Sequence, residues 1–191
     1  MKKLLISLAL VFSTFSMGKA QEAGTLAYNI GDTYAQAGIS FGYLGYGFSG
    51  SRVGFAFPIT VSVEHGFHEF ISAGAFLGIA NWRYEYFGNK YGWTFVNFGG
   101  RGTLHFAGLM NDNLDTNIDL KKWDLYASFI AGLEIRRYSS DYYDDLYDNN
   151  ISLLVGPFLG AKYMVSENFG VYLEGGRGNF GYGTLGVSLR F

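Results

Sequence analysis

The chain has 191 residues, enough for one domain, and contains 28 glycines, 18 phenylalanines, 15 tyrosines, two prolines and no cysteine. Without cysteine there are no disulfides, no thiol catalysis and no cysteine–metal sites, and a net charge of −2 with no basic patch excludes nucleic-acid binding. Charged residues make up 16%, against about 25% in an ordinary globular protein, yet after residue 20 no apolar run approaches the ~20 residues of a membrane helix. Rich in glycine and aromatics but poor in charge, the chain fits a barrel whose strands turn one apolar face to lipid.

Residues 1–20 read as a secretory signal peptide. Met1-Lys2-Lys3 is a basic start, Leu4 to Phe15 a short apolar stretch, and Gly18-Lys19-Ala20 places small residues where a signal peptidase cuts. Cleavage is expected before Gln21, leaving 21–191 as the barrel domain. Losing Lys2, Lys3 and Lys19 takes the net charge from −2 to −5.

Eight segments then alternate in polarity, as strands with one face buried do. The first, 33–44, sets Ala37, Ile39, Phe41 and Tyr43 against Gln36, Gly38, Ser40 and Gly42. The second, 57–65, sets Ile59, Val61 and Val63 against Thr60, Ser62 and Glu64. In the third, 70–86, Ile71, Ala73, Ala75, Leu77 and Ile79 oppose Ser72, Gly74, Gly78 and Ala80. The fourth, 93–106, opposes Val96, Phe98, Leu104 and Phe106 to Asn97, Gly99, Arg101, Thr103 and His105. The fifth, 123–138, has Leu125, Ala127, Phe129, Leu133 and Ile135 against Ser128, Gly132 and Glu134. The sixth, 151–164, has Val155, Leu159, Ala161 and Tyr163 against Gly156, Gly160 and Lys162. The seventh, 169–177, has Val171 and Leu173 against Tyr172 and Glu174. In the last, Leu185, Val187, Leu189 and Phe191 oppose Gly186, Ser188 and Arg190.

The polar face is made of small residues and a rare charge, which suits a narrow barrel interior. Aromatics near segment ends, such as Tyr43, Trp93, Trp123 and Tyr163, form the interfacial girdles of a membrane barrel. Tight turns at 66–68 and 166–168 alternate with longer polar loops at 45–56, 86–92 and 139–150, as periplasmic turns alternate with external loops. The connection 107–122 is long for the periplasmic side and has room for a short helix. A soluble lipocalin-like barrel has the same strand count. It would need a lumen filled with Phe, Leu and Ile under a glycine-covered surface, which is poorly soluble.

Some motifs lose their apparent meaning in this setting. Gly176-Arg177-Gly178-Asn179-Phe180-Gly181 spells a dinucleotide-binding pattern, but a strand follows it instead of a helix, so it reads as a hairpin loop. Glu64-His65-Gly66-Phe67-His68-Glu69 collects potential metal ligands without helical spacing, and reads as a polar turn. The acidic, tyrosine-rich stretch 139–150 offers hard oxygen ligands for calcium and contact tyrosines, and reads first as a solvated loop. His105 lies where it could approach Ser128, but packing or lumen hydrogen bonding is its default role. No metal and no cofactor are expected.

The lumen charges carry more. Alternation turns Glu64, Arg101, Glu134, Lys162, Glu174 and Arg190 inward, three acids and three bases. Unpaired charge in a narrow interior is costly and paired charge is tolerated, so these six are expected to form a salt-bridged plug, with Arg101 at its centre reaching Glu64 or Glu174.

The strand pattern of 24–191 and the ending Gly183-Thr184-Leu185-Gly186-Val187-Ser188-Leu189-Arg190-Phe191 resemble the small eight-stranded outer-membrane barrels of Gram-negative bacteria, the OmpX and OmpA transmembrane-domain type. The ending resembles their assembly signal, with Leu185, Val187, Leu189 and Phe191 as its apolar positions. The resemblance implies an antiparallel up-and-down transmembrane barrel in the outer membrane, surrounded by its lipids. It also implies export through Sec, and passage through periplasmic chaperones to the barrel-assembly machinery. Fold does not fix function here. The expected role is structural or interaction-based and non-enzymatic, with any surface ligand met by the loops 45–56 and 139–150. A small channel or transporter for small or hydrophobic molecules is the alternative, and a lipid-modifying enzyme the third.

Overall fold

A computed structural model describes residues 26–41, 54–86, 89–140, 150–177 and 180–191. The strands are β1 (Thr33–Phe41), β2 (Gly54–His68), β3 (Ile71–Tyr86), β4 (Asn89–His105), β5 (Trp123–Ser140), β6 (Asn150–Met164), β7 (Phe169–Gly176) and β8 (Gly183–Arg190). Each pairs antiparallel with the next, and β1 closes on β8 in a continuous register from Tyr34↔Arg190 to Phe41↔Gly183. Closure leaves no free sheet edge along that seam, which a strand needs in order to lie in lipid.

Side-chain alternation decides which medium surrounds the barrel. Ile39, Val61, Leu77, Leu133, Val187 and Leu189 all point outward, 38% to 51% exposed, whereas Ser40, Ser62, Ser128 and Ser188 are buried at 5% or less. An apolar belt around a whole molecule far exceeds the few hundred Å² that soluble proteins expose. The lipocalin arrangement is thereby reversed, and the fold is an eight-stranded transmembrane barrel. Among the described residues no helix is long and apolar enough to cross a membrane; the strands cross.

The two ends differ. The turns after β2 and β6, the segment 26–32 and the connection between β4 and β5 lie at one end, called here the closed end. The connection between β4 and β5 holds a helix, α1 (Ala107–Leu114), that stops at Asp115 in a left-handed conformation (φ 49°). Asn111 staples the return: its Nδ2 donates to the Ile118 carbonyl at 2.9 Å, and its Oδ1 accepts from Thr116 Oγ1 at 2.8 Å and Ile118 N at 3.0 Å.

At the other end, the loop end, strand lengths are unequal. β2 to β6 have 15 to 18 residues, and β1, β7 and β8 have eight or nine. The β6–β7 ladder begins only at Phe158, beside Pro157. The Pro157 carbonyl accepts the Arg177 N–H at 3.0 Å, so its missing N–H lies on that same edge, beyond the ladder, where proline is tolerated.

The interior corrects one expectation. It is not lined by small residues alone: Tyr34, Phe76, Phe95, Tyr126, Ile130, Phe158 and Tyr172 are also buried there. Glycines opposite make the room. A Cβ on Gly160 would overlap the Tyr126 ring, one on Gly186 the Tyr172 ring, and one on Gly38 the Tyr172 hydroxyl. Rings seated on bare backbone fill a lumen that side chains on every strand would overcrowd.

Candidate functional site

The densest chemistry lies inside the barrel toward the closed end. β4 carries Arg101, Thr103 and His105 on successive inward positions, and β2, β3, β5, β6 and β7 present the partners. Arg101 Nε lies 2.8 Å from Glu64 Oε1. The same guanidinium grips Glu174 through both terminal nitrogens, Nη1 at 3.3 Å from Oε2 and Nη2 on Oε1. Nη2 also donates to Ser128 Oγ at 2.9 Å. The two carboxylates are buried and shared further: Thr103 Oγ1 donates to Glu64 Oε2 at 2.5 Å, Ser72 Oγ donates to it at 3.0 Å, and Tyr126 OH donates to Glu174 Oε1 at 3.0 Å. Buried charge is tolerable in this form, because both carboxylates meet a cation and hydroxyl donors.

A second cluster adjoins it. Asp124 of β5 accepts Lys162 Nζ at 3.0 Å and faces His105 Nδ1 at 2.9 Å. The Lys162 ammonium also lies 4.1 Å from the centre of the Tyr34 ring, within cation–π range. His105 Nε2 lies 2.9 Å from Ser72 Oγ. Ser72, His105 and Asp124 therefore stand in the order of a serine-nucleophile relay, but the surroundings oppose that chemistry. Ser72 is 1% exposed, and its hydroxyl shares the Glu64 carboxylate, an anion beside the place where an oxyanion would have to develop. His105 and Ser128 are not paired; Ser128 belongs to Arg101 and Thr103.

The remaining predicted charges stand elsewhere. Glu134 pairs with Arg136 of its own strand at 3.0 Å, toward the loop end. Arg190 lies at the closed end, where Nη1 donates to the Leu26 carbonyl at 2.5 Å and Nε is 3.8 Å from Asp32 Oδ2. The six residues thus fall into separate groups instead of one plug. Leu185, Val187 and Leu189 line the outer face of β8, and the Phe191 N–H donates to Thr33 O at 2.9 Å. The expected turn at 66–68 is instead the end of β2, with the turn at Glu69 and Phe70; there Glu64 points inward while His65 pairs with Thr33 and His68 accepts the Phe70 N–H, so the four candidate ligands do not converge. The loops 45–56 and 139–150 lie largely outside the described residues.

The segment before β1 covers the closed mouth. Its Ala27 N–H donates to the Leu120 carbonyl at 2.7 Å, and the Tyr28 hydroxyl sits 2.7 Å from the carbonyls of both His68 and Ile71. The Tyr28 ring stacks on His105, with centroids 3.5 Å apart and planes inclined by 10°. Burial, with the nearby carboxylates of Asp124, Glu64 and Asp32, pushes the Tyr28 phenol up to about 12, which keeps it a hydrogen-bond donor.

Above the charged clusters the lumen holds packed apolar side chains. Phe76, Ile130 and Phe158 pack together with Leu154 against them. Phe180, from the hairpin loop between β7 and β8, reaches in to pack on Ala80 and Phe95. A cavity among Glu64, Arg101, Asp124 and Lys162 measures about 10 Å³, room for about one water at most.

Sequence reasoning missed Asp124, Tyr126, Tyr28 and Phe180. Asp124 was findable, since it shares the inward parity of Ser128 and Glu134 on β5. Tyr28 was not, because its segment has no alternation.

No protein-family model matches the chain, and no curated protein matches it. Solved structures do. The attachment invasion locus protein Ail of Yersinia pestis is 14% identical, with 85% of this chain and 100% of that chain covered and a TM-score of 0.44. The N-terminal β-barrel domain of Pseudomonas aeruginosa OprF is 17% identical, with 85% and 98% covered and a TM-score of 0.43. A de novo designed transmembrane β-barrel is 11% identical, with 86% and 98% covered and a TM-score of 0.42.

Proposed function

We propose that this chain is an outer-membrane barrel with a closed lumen, whose role is structural or surface-interaction and not enzymatic. The observation that carries this reading is the double block of the interior: charged clusters centred on Arg101 and Asp124 toward one end, and packed Phe76, Ile130 and Phe158 above them. Among the described residues, both layers fill the interior with packed side chains. In the same reading residues 1–20 are removed before Gln21 after export. Leu185, Val187, Leu189 and Phe191 are then the signal read by the barrel-assembly machinery, and the loop end, carrying 45–56 and 139–150, faces outward.

Conductance tests the reading. The folded protein reconstituted in a planar bilayer is expected to give no steady current steps. Reproducible unitary conductance would overturn the closed lumen and promote the channel alternative.

A further inference from the structure

His105, the last residue of β4, stands between two spaces. On one side is a hollow of about 150 Å³ at the closed end, bordered by Leu26, Tyr28, Glu69 and Asp124 as well as by His105. Leu26 and Glu69 are exposed at its edge. On the other side lies the 10 Å³ cavity of the charged residues, which His105 and Asp124 also line. The ring, itself 7% exposed, is thus a partition between closed-end solvent and the buried network.

The hydrogen bonds place its protons. Nδ1 lies 2.9 Å and 3.0 Å from the two Asp124 oxygens, and a carboxylate only accepts, so Nδ1 carries a hydrogen. Nε2 lies 2.9 Å from Ser72 Oγ. The one hydroxyl hydrogen of Ser72 goes to Glu64 Oε2 at 3.0 Å, and that carboxylate has none to return. Toward His105, Ser72 is therefore an acceptor, and Nε2 carries a hydrogen as well. A ring with both hydrogens is an imidazolium.

The charge count points the same way. Among the described residues the network sets the carboxylates of Glu64, Glu174 and Asp124 against the cations of Arg101 and Lys162, three against two. One surplus anion is costly in a buried cluster. Asp32 and Arg190, 3.8 Å apart beside it, offset each other, and Glu69 is exposed to solvent. The phenols nearby are neutral donors: Tyr126 to Glu174, Tyr34 to Asp32, and Tyr28 to the carbonyls of His68 and Ile71. With His105 as a cation the network stands at three against three.

The same charge accounts for the stack on Tyr28. The two rings lie 3.5 Å apart and inclined by 10°, and a cation over the face of a neutral ring is attracted to it. Tyr28 belongs to the segment 26–32, which is also tied by the Ala27 N–H on Leu120 O and the Gly31 N–H on Gly66 O. We infer that His105 is a buried proton site whose imidazolium clasps the segment 26–32 over the closed mouth. Loss of the proton forces Ser72 to give up either Glu64 or His105, leaves the network one anion in excess, and weakens the stack. The closed segment holds the proton and the released one does not, so rising pH favours release. The clasp is separate from the closed-lumen reading, whose apolar layer it does not touch.

Nitrogen NMR of the histidine-labelled protein folded in micelles reads the proton directly. At neutral pH the two His105 ring nitrogens are expected to resonate close together, each coupled to its own hydrogen. A widely split pair, one nitrogen without hydrogen, would overturn the assignment, and this measurement needs no variant. Amide hydrogen exchange at Ala27 and Gly31, corrected for the intrinsic rate at each pH, reads the clasp. Protection is expected to fall about tenfold or more from mildly acid to mildly alkaline pH, the scale of one charge-assisted hydrogen bond. His105→Gln, which has no charge to lose, should show weak protection at every pH. Constant protection across the range in the wild type, or an equal pH-dependent fall in His105→Gln, would overturn the clasp.

Discussion

Arg101→Ala is the sharpest perturbation of the interior. The side chain lies within bonding reach of Glu64, Glu174 and Ser128, and both carboxylates are almost completely shielded, with side-chain exposures of 5% and 2%. Truncation removes the cation and leaves two buried anions supported only by Ser72, Thr103 and Tyr126 hydroxyls. Breaking a buried pair in this way costs about 3–5 kcal/mol, a large share of the ~5–15 kcal/mol that holds an ordinary domain together. Urea unfolding in detergent micelles, followed by tryptophan fluorescence, is expected to show a loss of that size. Removing the charges together should recover most of it: Arg101→Met combined with Glu64→Gln and Glu174→Gln has no orphaned ion. The single variant should still give no conductance, because Phe76, Ile130 and Phe158 remain in place. An Arg101→Ala protein within about 1 kcal/mol of wild type, well below the penalty for an orphaned buried charge, would refute the reasoning. A triple variant as unstable as the single one would do the same.

Leu133→Arg places a cation on the outward belt and should cost about 2–4 kcal/mol near the bilayer midplane; folding titrations in lipid vesicles check it, and a neutral result would mean that this face does not meet hydrocarbon. Asn97 is fully buried, and neither amide atom has a hydrogen-bond partner among the described residues, so Asn97→Leu should stabilise the barrel by about 1–3 kcal/mol, the cost of an unsatisfied buried polar group, as a rise in the unfolding midpoint. Tyr28 contributes to pH dependence with a definite sign. Its phenol rises from 10.0 to about 12 on folding, so the stability it adds is complete below pH 10 and is lost as pH climbs toward 12; unfolding curves across that range should fall more steeply for wild type than for Tyr28→Phe.

The wall of this barrel was legible because lipid and lumen impose opposite demands on alternate residues, so Val61 and Ser62, or Leu133 and Glu134, announce their faces. The interior was less legible where the lumen itself is apolar. Phe76 lies between Ala75 and Leu77, and Ile130 between Phe129 and Ala131; a large apolar residue on the inward parity erases the alternation that would have located it. Strand ends were the other blind spot. Asp124 follows Trp123, where β5 begins, and a one-residue boundary decides whether such a carboxylate counts as lumen or turn. The segment 26–32 was beyond periodicity altogether, since Tyr28 earns its place through a stack on His105 and two carbonyls from a distant turn.

The glycine and tyrosine content that first marked the sequence follows from geometry. Eight strands enclose a space only just wide enough to be filled by side chains, so each ring turned inward needs bare backbone opposite, as Tyr126 has in Gly160 and Tyr172 in Gly38 and Gly186. The polar groups that remain must satisfy one another across the lumen. They do so between strands that are not neighbours in the sheet: β2 and β7 meet at Arg101 of β4, through Glu64 and Glu174. Such ties brace the cylinder in a direction its backbone ladder does not. They also use up the interior, since every charge that links two walls is withdrawn from any path between the two ends. Under the closed-lumen reading, recognition is then left to the outer surfaces. At Gly102 and Gly175 the described wall departs from a uniform apolar coat.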